Sequence, residues 1–324
     1  MHANTRVAFI TLLISVVVLA LKAAAYYATH SLAVMSDAIE TVVNVLTAFV
    51  ALFAVKIAAE PADENHPYGH GKMEYFSASF EGGLIFFAAL AILFESFKSF
   101  FVPNEKLDVF NGNIYLISST IINLAVGLYL VNWGKTRNSE ALRASGKHIL
   151  SDVVTTVGVF IGLILVKVTG ITWIDGAVGV LVGTFLVSEA FKILQDTSGA
   201  LMDAVDPASV TLLADIVNRN KSEFVIDIHN VKIIRSGHFH HIDAHVVVPE
   251  YLDVATTHEL THQFEDRVVE EYKYDGEIAF HIDPCKRSFC KQCEIADCKI
   301  RAADFEKIKT ADQFSLIGGP KYTN

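Results

Sequence analysis

Two pairs of polar side chains interrupt long apolar stretches of the sequence. Glu40 and Asn44 lie four residues apart, and His148 and Asp152 repeat that spacing further along the chain. Residues at positions i and i+4 share one face of a helix, and charged groups within membrane-length apolar segments are costly and usually functional. Carboxylate and imidazole groups bind divalent transition metals, so the two pairs together predict a four-ligand cation site. Helix–helix hydrogen bonds could explain either pair alone.

A second group of candidate ligands lies in the sequence PADENHPYGHGK, residues 61–72. Asp63, His66 and His70 fall within this short segment, whose proline and glycine residues exclude a regular helix. One carboxylate and two imidazoles could form a three-ligand site with an open coordination position. The alternative is a surface loop with ordinary histidines, and the spacing favours neither.

Further candidate ligands alternate along segments of the C-terminal third. His245 ends one alternating segment, and His281 and Asp283 alternate on another. Residues on the same face of neighbouring strands can converge, so these three side chains could share a site. Four other histidines of this region are interpreted as surface residues, namely His238, His240, His241 and His262.

The cysteines are confined to one segment near the C-terminus, with the spacing C-x4-C-x2-C-x4-C. They are Cys285, Cys290, Cys293 and Cys298. Such clustering is typical of metal binding or redox chemistry in a reducing compartment, not of a secreted disulfide framework. Four thiolates could hold a structural zinc ion or an iron–sulfur cluster. Because the spacing is not that of a standard zinc finger, a reduced tail that binds metal loosely is the alternative.

The composition indicates a membrane protein with a soluble part. Of the 324 residues, 52% are hydrophobic and 19% are charged, and the mean hydropathy is +0.39. These values exclude an ordinary soluble enzyme and a disordered chain. The net charge of −10 argues against a nucleic-acid partner, because phosphate binding needs a basic surface. Residues 201–324 carry 21 acidic and 14 basic side chains, which suits a cationic ligand.

Six segments are long and apolar enough to span a lipid bilayer as helices. They are residues 7–29, 32–57, 77–101, 112–134, 148–169 and 172–194. Lysine and arginine are most frequent in the loops that follow the second and fourth segments, which predicts that both termini face the cytoplasm. The first segment is too long for the apolar core of a signal peptide, so cleavage is not expected.

After residue 200 the long apolar runs give way to alternation. Helical spacing covers residues 207–222 and 253–272, and strands are predicted over 225–235, 239–248 and 276–283. The order αββαβ is typical of a small open sheet with helices on one face. We therefore predict a six-helix membrane domain over 1–200, an α/β domain over 201–286 and a cysteine-containing tail over 287–324. Residues 299–324 are expected to be mobile.

With these elements in place, the sequence resembles the cation diffusion facilitator family from its N-terminal part to Cys285. The motifs that carry the resemblance are SLAVMSDAIETVVN, DENHPYGHGK, LRASGKHILSDVVTT and FHIDPC. The sequence is most similar to bacterial zinc and iron efflux members. The resemblance implies a homodimer with six membrane helices and a ferredoxin-like, metallochaperone-like cytoplasmic domain. It also implies exchange of a divalent cation for protons.

The resemblance further implies three sets of metal ligands and a dimer contact. The transport site of the family corresponds to Glu40, Asn44, His148 and Asp152. Its loop site corresponds to Asp63, His66 and His70. Its cytoplasmic binuclear site corresponds to His229, His245, His258, His281 and Asp283, with Asp283 bridging two ions. Lys72 and Asp203 match positions that form a charge interlock at the dimer interface.

The second apolar segment departs from the family pattern. Zinc transporters of the family usually carry two aspartates at the positions of Glu40 and Asn44, so this site has one formal negative charge fewer. The resemblance ranks Zn²⁺ first as the ion, then Fe²⁺, then Co²⁺ or Cd²⁺. Manganese is last, because family members that carry it usually lack the imidazole of His148. The ion would be both the transported substrate and a regulatory ligand of the cytoplasmic domain.

The function predicted from the sequence is proton-coupled export of a divalent transition metal across a bacterial inner membrane. One alternative is a membrane metal sensor that does not transport, since more candidate ligands lie outside the spans than inside. Catalysis is not predicted, because we find no nucleophile–base arrangement apart from the metal ligands.

Overall fold

The computed structural model describes residues 3–29, 32–101, 113–171 and 173–318. The side chains of residues 32–40, and of some other helical residues, lie outside the described set. The chain divides into two compact units, Met1–Met202 and Asp203–Asn324. The predicted transport and loop ligands belong to the first unit, and the predicted cytoplasmic ligands belong to the second.

In the described part of the chain, the first unit contains six long helices. They are α1 (Ala3–Thr29), α2 (Leu32–Ala58), α3 (Met73–Ser99), α4 (Asn113–Arg137), α5 (Glu140–Thr169) and α6 (Trp173–Leu201). Each predicted span overlaps one of these helices. The largest difference is at α5, which begins at Glu140 because its polar first turns continue the helix beyond the apolar run.

Within the described residues, five helices are long and apolar enough to cross a membrane. These segments are Ala3–Ala24, Thr41–Ala58, Met73–Lys98, Ile117–Arg137 and Gly176–Leu201. At the level of length and composition, five of the six predicted spans are thereby confirmed. The span predicted over 148–169 lies on α5, which includes residues outside the described set, and it stays a prediction. Phe87 and Leu181 are each 71% exposed, as expected for side chains that face lipid.

Close packing of α5 on α4 fixes the position of the helix that carries His148 and Asp152. A Cβ atom added to Gly146 of α5 would lie 2.7 Å from the backbone nitrogen of Val131 and 2.9 Å from the carbonyl oxygen of Gly127, both on α4. The two backbones are therefore too close for any larger residue at position 146. This contact lies less than one turn before His148 and holds the predicted ligands in a defined register.

The second unit has the predicted order αββαβ. Its elements are α7 (Pro207–Asn220), β1 (Asp227–Ser236), β2 (Phe239–Val248), α8 (Val254–Glu271) and β3 (Asp275–Pro284). The sheet order is β1-β2-β3. Strand β1 is antiparallel to β2, and β2 is parallel to β3. The side chains of Asp206 and Asp253 accept hydrogen bonds from backbone N–H groups at the starts of α7 and α8. Ile216, Val246 and Phe264 lie in the buried core between the helices and the sheet.

The prediction of a mobile tail over 299–324 is wrong for the described residues. A short helix, α9 (Gln313–Ile317), follows a 3₁₀ helix (Arg287–Gln292), and Leu316 is fully buried in the core of the unit. The Asn218 amide donates to the carbonyl of Ala311 at 2.8 Å and accepts from its N–H at 2.7 Å. A five-residue helix is too short to show periodicity in the sequence, so its docking could not be predicted from the pattern.

The interpretation of His240 and His241 as surface residues is also wrong, since both are buried. His240 Nδ1 lies 3.0 Å from the hydroxyl of Tyr272, and its ring stacks on Tyr274. Burial lowers the pKa of His240 to about 4. β2 is the central strand and carries buried side chains on both faces, so alternation did not distinguish an exposed face. The side chains of His238 and His262 are exposed, as expected.

Candidate metal centres

Helices α2 and α5 bring three of the four predicted transport ligands into contact. The Asn44 amide donates a hydrogen bond to Asp152 Oδ2 at 2.8 Å, and Asn44 Oδ1 lies 3.2 Å from His148 Nε2. Asn44 and His148 are buried, and Asp152 is partly buried. Glu40 lies one turn before Asn44 on α2, and its side chain is outside the described part of the chain. The two i,i+4 pairs therefore occupy helices that face each other at this point.

A polar cavity adjoins this group. It is lined by Lys22, Asn44, Ser119, Thr120, Asn123, Asp152, Val153 and Thr156, which come from four helices. Hydroxyl and amide oxygens beside Asp152 can replace part of the hydration shell of a cation. The cavity gives an ion a polar environment next to the predicted ligands.

Lys22 is a residue of this cavity that the sequence analysis did not single out. It belongs to α1 and is only 7% exposed, although lysine is rarely buried. Lys22 and Asp152 line the same cavity, so a basic and an acidic side chain come together beside the predicted ligands. The sequence did contain a signal, because a charged residue within an apolar span is by itself a functional hypothesis.

The loop residues Asp63, His66 and His70 form a compact group outside the long helices. One ligand atom from each lies within 4.8 Å of the others. Asp63 Oδ1 lies 3.2 Å from His66 Nδ1, and Asp63 Oδ2 lies 3.4 Å from His70 Nε2. The backbone N–H of His66 donates a hydrogen bond to the Asp63 carboxylate. This hydrogen bond is the main cause of the lowered pKa of Asp63. The carboxylate is therefore ionised and oriented, as a cation ligand must be.

The strand register places three predicted cytoplasmic ligands in one row across the sheet. His229 on β1 is opposite His245 on β2, and His245 is opposite His281 on β3. Asp283 follows His281 by two residues and therefore lies on the same face.

Asp283 contacts all three imidazoles of this row. Its Oδ2 atom lies 3.0 Å from His245 Nδ1 and 3.4 Å from His229 Nε2, and its Oδ1 atom lies 3.7 Å from His281 Nε2. The two oxygens of this carboxylate are thus directed at different imidazoles, and its role as a bridge between two ions stays a prediction. Burial lowers the pKa of His229, which favours the neutral imidazole that binds metal.

His258 and the cysteines are placed differently. His258 lies on α8, where its ring stacks on His262 at 5.9 Å. Among the described residues, two groups of three or more candidate ligands come within 4.8 Å, and neither contains His258, His281 or a cysteine. Cys285, Cys293 and Cys298 instead pack in an apolar cluster with Phe289, and Cys290 Sγ accepts a hydrogen bond from the N–H of Ala302 at 3.3 Å.

Lys72 and Asp203 lie at two helix ends. Lys72 directly precedes α3, and Asp203 follows α6 with a φ of 55°. The two residues belong to different units of the chain. The charge interlock expected between them stays a prediction.

Comparisons with known proteins agree with the two-unit organisation. Residues 8–202 match the family model of the cation efflux transmembrane domain, and residues 205–285 match that of the cation efflux protein cytoplasmic domain. The uncharacterized transporter sll1263 of Synechocystis sp. is 34% identical over 265 residues, which cover 82% of this chain and 85% of that protein.

Two other relatives, whose names specify the metal ions, have lower sequence identity to this chain. A cadmium, cobalt and zinc/H(+)-K(+) antiporter of Bacillus velezensis is 25% identical over 86% of this chain and 90% of its own length. The manganese efflux system protein MneS of Bacillus subtilis is 24% identical over 86% of this chain and 95% of its own length. The match to the transmembrane family model covers more than half of the chain, and that to the cytoplasmic model covers most of the rest. The chain therefore belongs to the cation efflux family, the cation diffusion facilitators.

Proposed function

We propose that this protein exports a divalent transition metal, with Zn²⁺ as the first candidate, from the cytoplasm in exchange for protons. The observation that carries the proposal is the contact of Asn44 with both His148 and Asp152 between α2 and α5. Family membership supports metal cation efflux as the reaction class. Glu40, one turn from Asn44, is the proposed fourth ligand.

Competition for the same lone pairs would couple the metal to protons. Imidazole and carboxylate groups bind a metal ion only when they are deprotonated. An imidazole titrates near neutral pH, so His148 is the natural proton carrier of the site. In the proposed cycle, a cation loads from the cytoplasm and α2 and α5 shift to open the site outward. A proton from outside then displaces the cation.

The ligand types favour Zn²⁺, Fe²⁺ or Co²⁺ over Mn²⁺ at the transport site. Imidazole suits zinc and iron, whereas manganese prefers a site of oxygen ligands. His148 therefore supports the first group. The names of the relatives include cadmium, cobalt, zinc and manganese, so they agree with several ions. An Fe²⁺, Co²⁺ or Cd²⁺ exporter with the same site is the second candidate.

Metal flux in proteoliposomes under an imposed pH gradient tests this proposal. We expect zinc flux that follows the gradient and disappears when an ionophore dissipates it. In the Asn44→Asp variant we expect zinc to bind about tenfold more tightly, because a further carboxylate then faces His148 and Asp152. Iron(II) flux without zinc flux would reverse the order of the ions. Absence of flux for zinc, iron and manganese would instead support a membrane sensor that does not transport.

We also propose that the cytoplasmic unit senses metal within a homodimer. The support is the row of His229, His245 and His281 around Asp283. Because residues 201–324 have an excess of acidic side chains, two copies repel each other, and bound cations would offset that repulsion.

Fluorescence energy transfer between labels on the cytoplasmic units of the full-length dimer tests this sensing role. We expect zinc to increase the transfer efficiency, because the bound ions reduce repulsion between the units. Asp283→Asn should remove the increase, since Asp283 contacts three imidazoles. An equal zinc response in this variant, or a monomeric protein, would contradict the proposal.

We place the chain in the bacterial inner membrane with both termini in the cytoplasm and with α5 as the fifth of six spans. The support for this orientation is the group of basic residues between the apolar segments 112–134 and 148–169, namely Lys135, Arg137, Arg143 and Lys147. This orientation gives the sensing ligands and the loading side of the transport site access to the same metal pool.

A further inference from the structure

Asp227 is a buried carboxylate beside the cytoplasmic metal group that lies outside the ligand set predicted from the sequence. It begins β1, two residues before His229, and is 4% exposed. Asp227 Oδ2 lies 3.7 Å from His229 Nδ1. Among the described residues, both atoms are buried without a hydrogen-bond partner. Buried polar atoms in native proteins are normally paired, so these two facing atoms need an explanation.

The position of the other ring nitrogen of His229 indicates how Asp227 could orient this imidazole for metal binding. His229 Nε2 faces Asp283 Oδ2 at 3.4 Å and thus points to the candidate metal position. An imidazole that binds a metal through one nitrogen almost always donates its other N–H, often to a carboxylate. A shift of less than 1 Å would bring Asp227 Oδ2 within hydrogen-bonding distance of His229 Nδ1. The Nδ1–H form of the ring would then keep Nε2 available for the ion.

The other oxygen of Asp227 is held by the C-terminal segment. Lys309 Nζ donates to Asp227 Oδ1 at 2.8 Å. Lys221 Nζ donates to the carbonyls of Ile226 at 2.8 Å and Lys309 at 3.4 Å, which ties the backbone of the segment to the start of β1. Burying a carboxylate alone is costly, and the ion pair with Lys309 offsets part of the cost of placing Asp227 beside His229.

We propose that Asp227 is a positioning residue of the cytoplasmic metal site and that Lys309 makes the C-terminal segment a working part of that site. The inference rests on the proposed binding of metal by His229, His245 and Asp283. Lys309 lies beyond residues 205–285, the range that matches the cytoplasmic family model. The segment thus adds to the family domain a contact that sets how tightly the domain holds its ion.

The test is the zinc affinity of the full-length protein, measured by competition with a fluorescent chelator. The background carries Asp63→Asn and Asp152→Asn, so that the loop and transport sites do not contribute. We expect Asp227→Asn to weaken binding by about 10- to 100-fold, the range seen when the partner of a metal-binding histidine is lost. Lys309→Met should also weaken zinc binding. Lys309→Arg should bind zinc as the background protein does, because it keeps the positive charge.

Two comparisons separate positioning from a general loss of stability. Lys307→Met, an exposed lysine of the same segment, should bind zinc as the background does. The double variant Asp227→Asn with Lys309→Met should bind no more weakly than Asp227→Asn alone, since Lys309 acts through Asp227. Additive effects, or wild-type affinity in both single variants, would overturn the inference while leaving the proposed metal site intact. Absence of zinc binding in the background protein itself would overturn both.

Discussion

Replacing Asp152 by asparagine is expected to lower the rate of divalent-metal flux by about 100-fold or more, since even indirect partners of a metal ligand contribute 10- to 100-fold. Asp152 is the carboxylate that contacts Asn44 and lines the polar cavity. An amide of the same shape preserves packing between α2 and α5 but removes the negative charge that attracts the cation. The measurement is initial zinc flux into proteoliposomes at a fixed pH gradient.

A matched control for this variant is Asp215→Asn, which makes the same chemical change at an exposed position of α7. It should transport at the wild-type rate. Both variants should elute from size exclusion with the wild-type profile, because no buried side chain changes size. If Asp152→Asn transported zinc as fast as Asp215→Asn, the transport ligand could not be Asp152, and the proposed site would be wrong.

The predictable part of this molecule is the part that depends on local periodicity. Apolar runs define the helices of the membrane unit, and alternation defines the strands that carry His245 and His281. Spacing of four residues predicts that His148 and Asp152 share a helix face, whatever that face contacts. Periodicity contains no information about which helices are neighbours. The contact of Asn44 with both residues of α5 was expected from the matching chemistry of the two pairs and from the family resemblance, not from periodicity.

The features that could not be predicted all depend on contacts between distant parts of the chain. Asp227 and Lys309 are 82 positions apart, and their pairing depends on the docking of the C-terminal segment. Leu316 is buried because it fills the core of the second unit, although its own segment shows no repeating pattern. His240 is buried because Tyr272 and Tyr274 cover it. In each case the signal is in the packing and not in the spacing.

Lys22 leads to the second large expected effect. Lys22 lines the same cavity as Asn44 and Asp152, so its positive charge would oppose a transported cation held there. Replacing Lys22 by methionine keeps an unbranched side chain only one atom shorter and removes the repulsion. We therefore expect the divalent cation to bind about tenfold more tightly or better in this variant, because charges a few ångströms apart interact strongly in a partly buried site.

Tighter binding should also slow release, because affinity differences at one site arise mostly in the dissociation rate. The Lys22→Met variant is thus expected to show a lower KM for zinc together with a lower maximal flux. Lys22→Arg, which retains the charge, should keep the wild-type KM. Lys56→Met removes an exposed lysine at the end of α2 and should change neither value.

The direction of the change in KM decides what Lys22 does. A lower KM means that the ammonium opposes the cation, and that this chain combines a neutral Asn44 with a buried positive charge to hold its ion weakly enough for release. A higher KM would mean that Lys22 instead orients Asp152 for the metal. An unchanged KM would show that the ammonium does not act on the transported ion, and the charge of the site would then be set by its carboxylates and His148 alone.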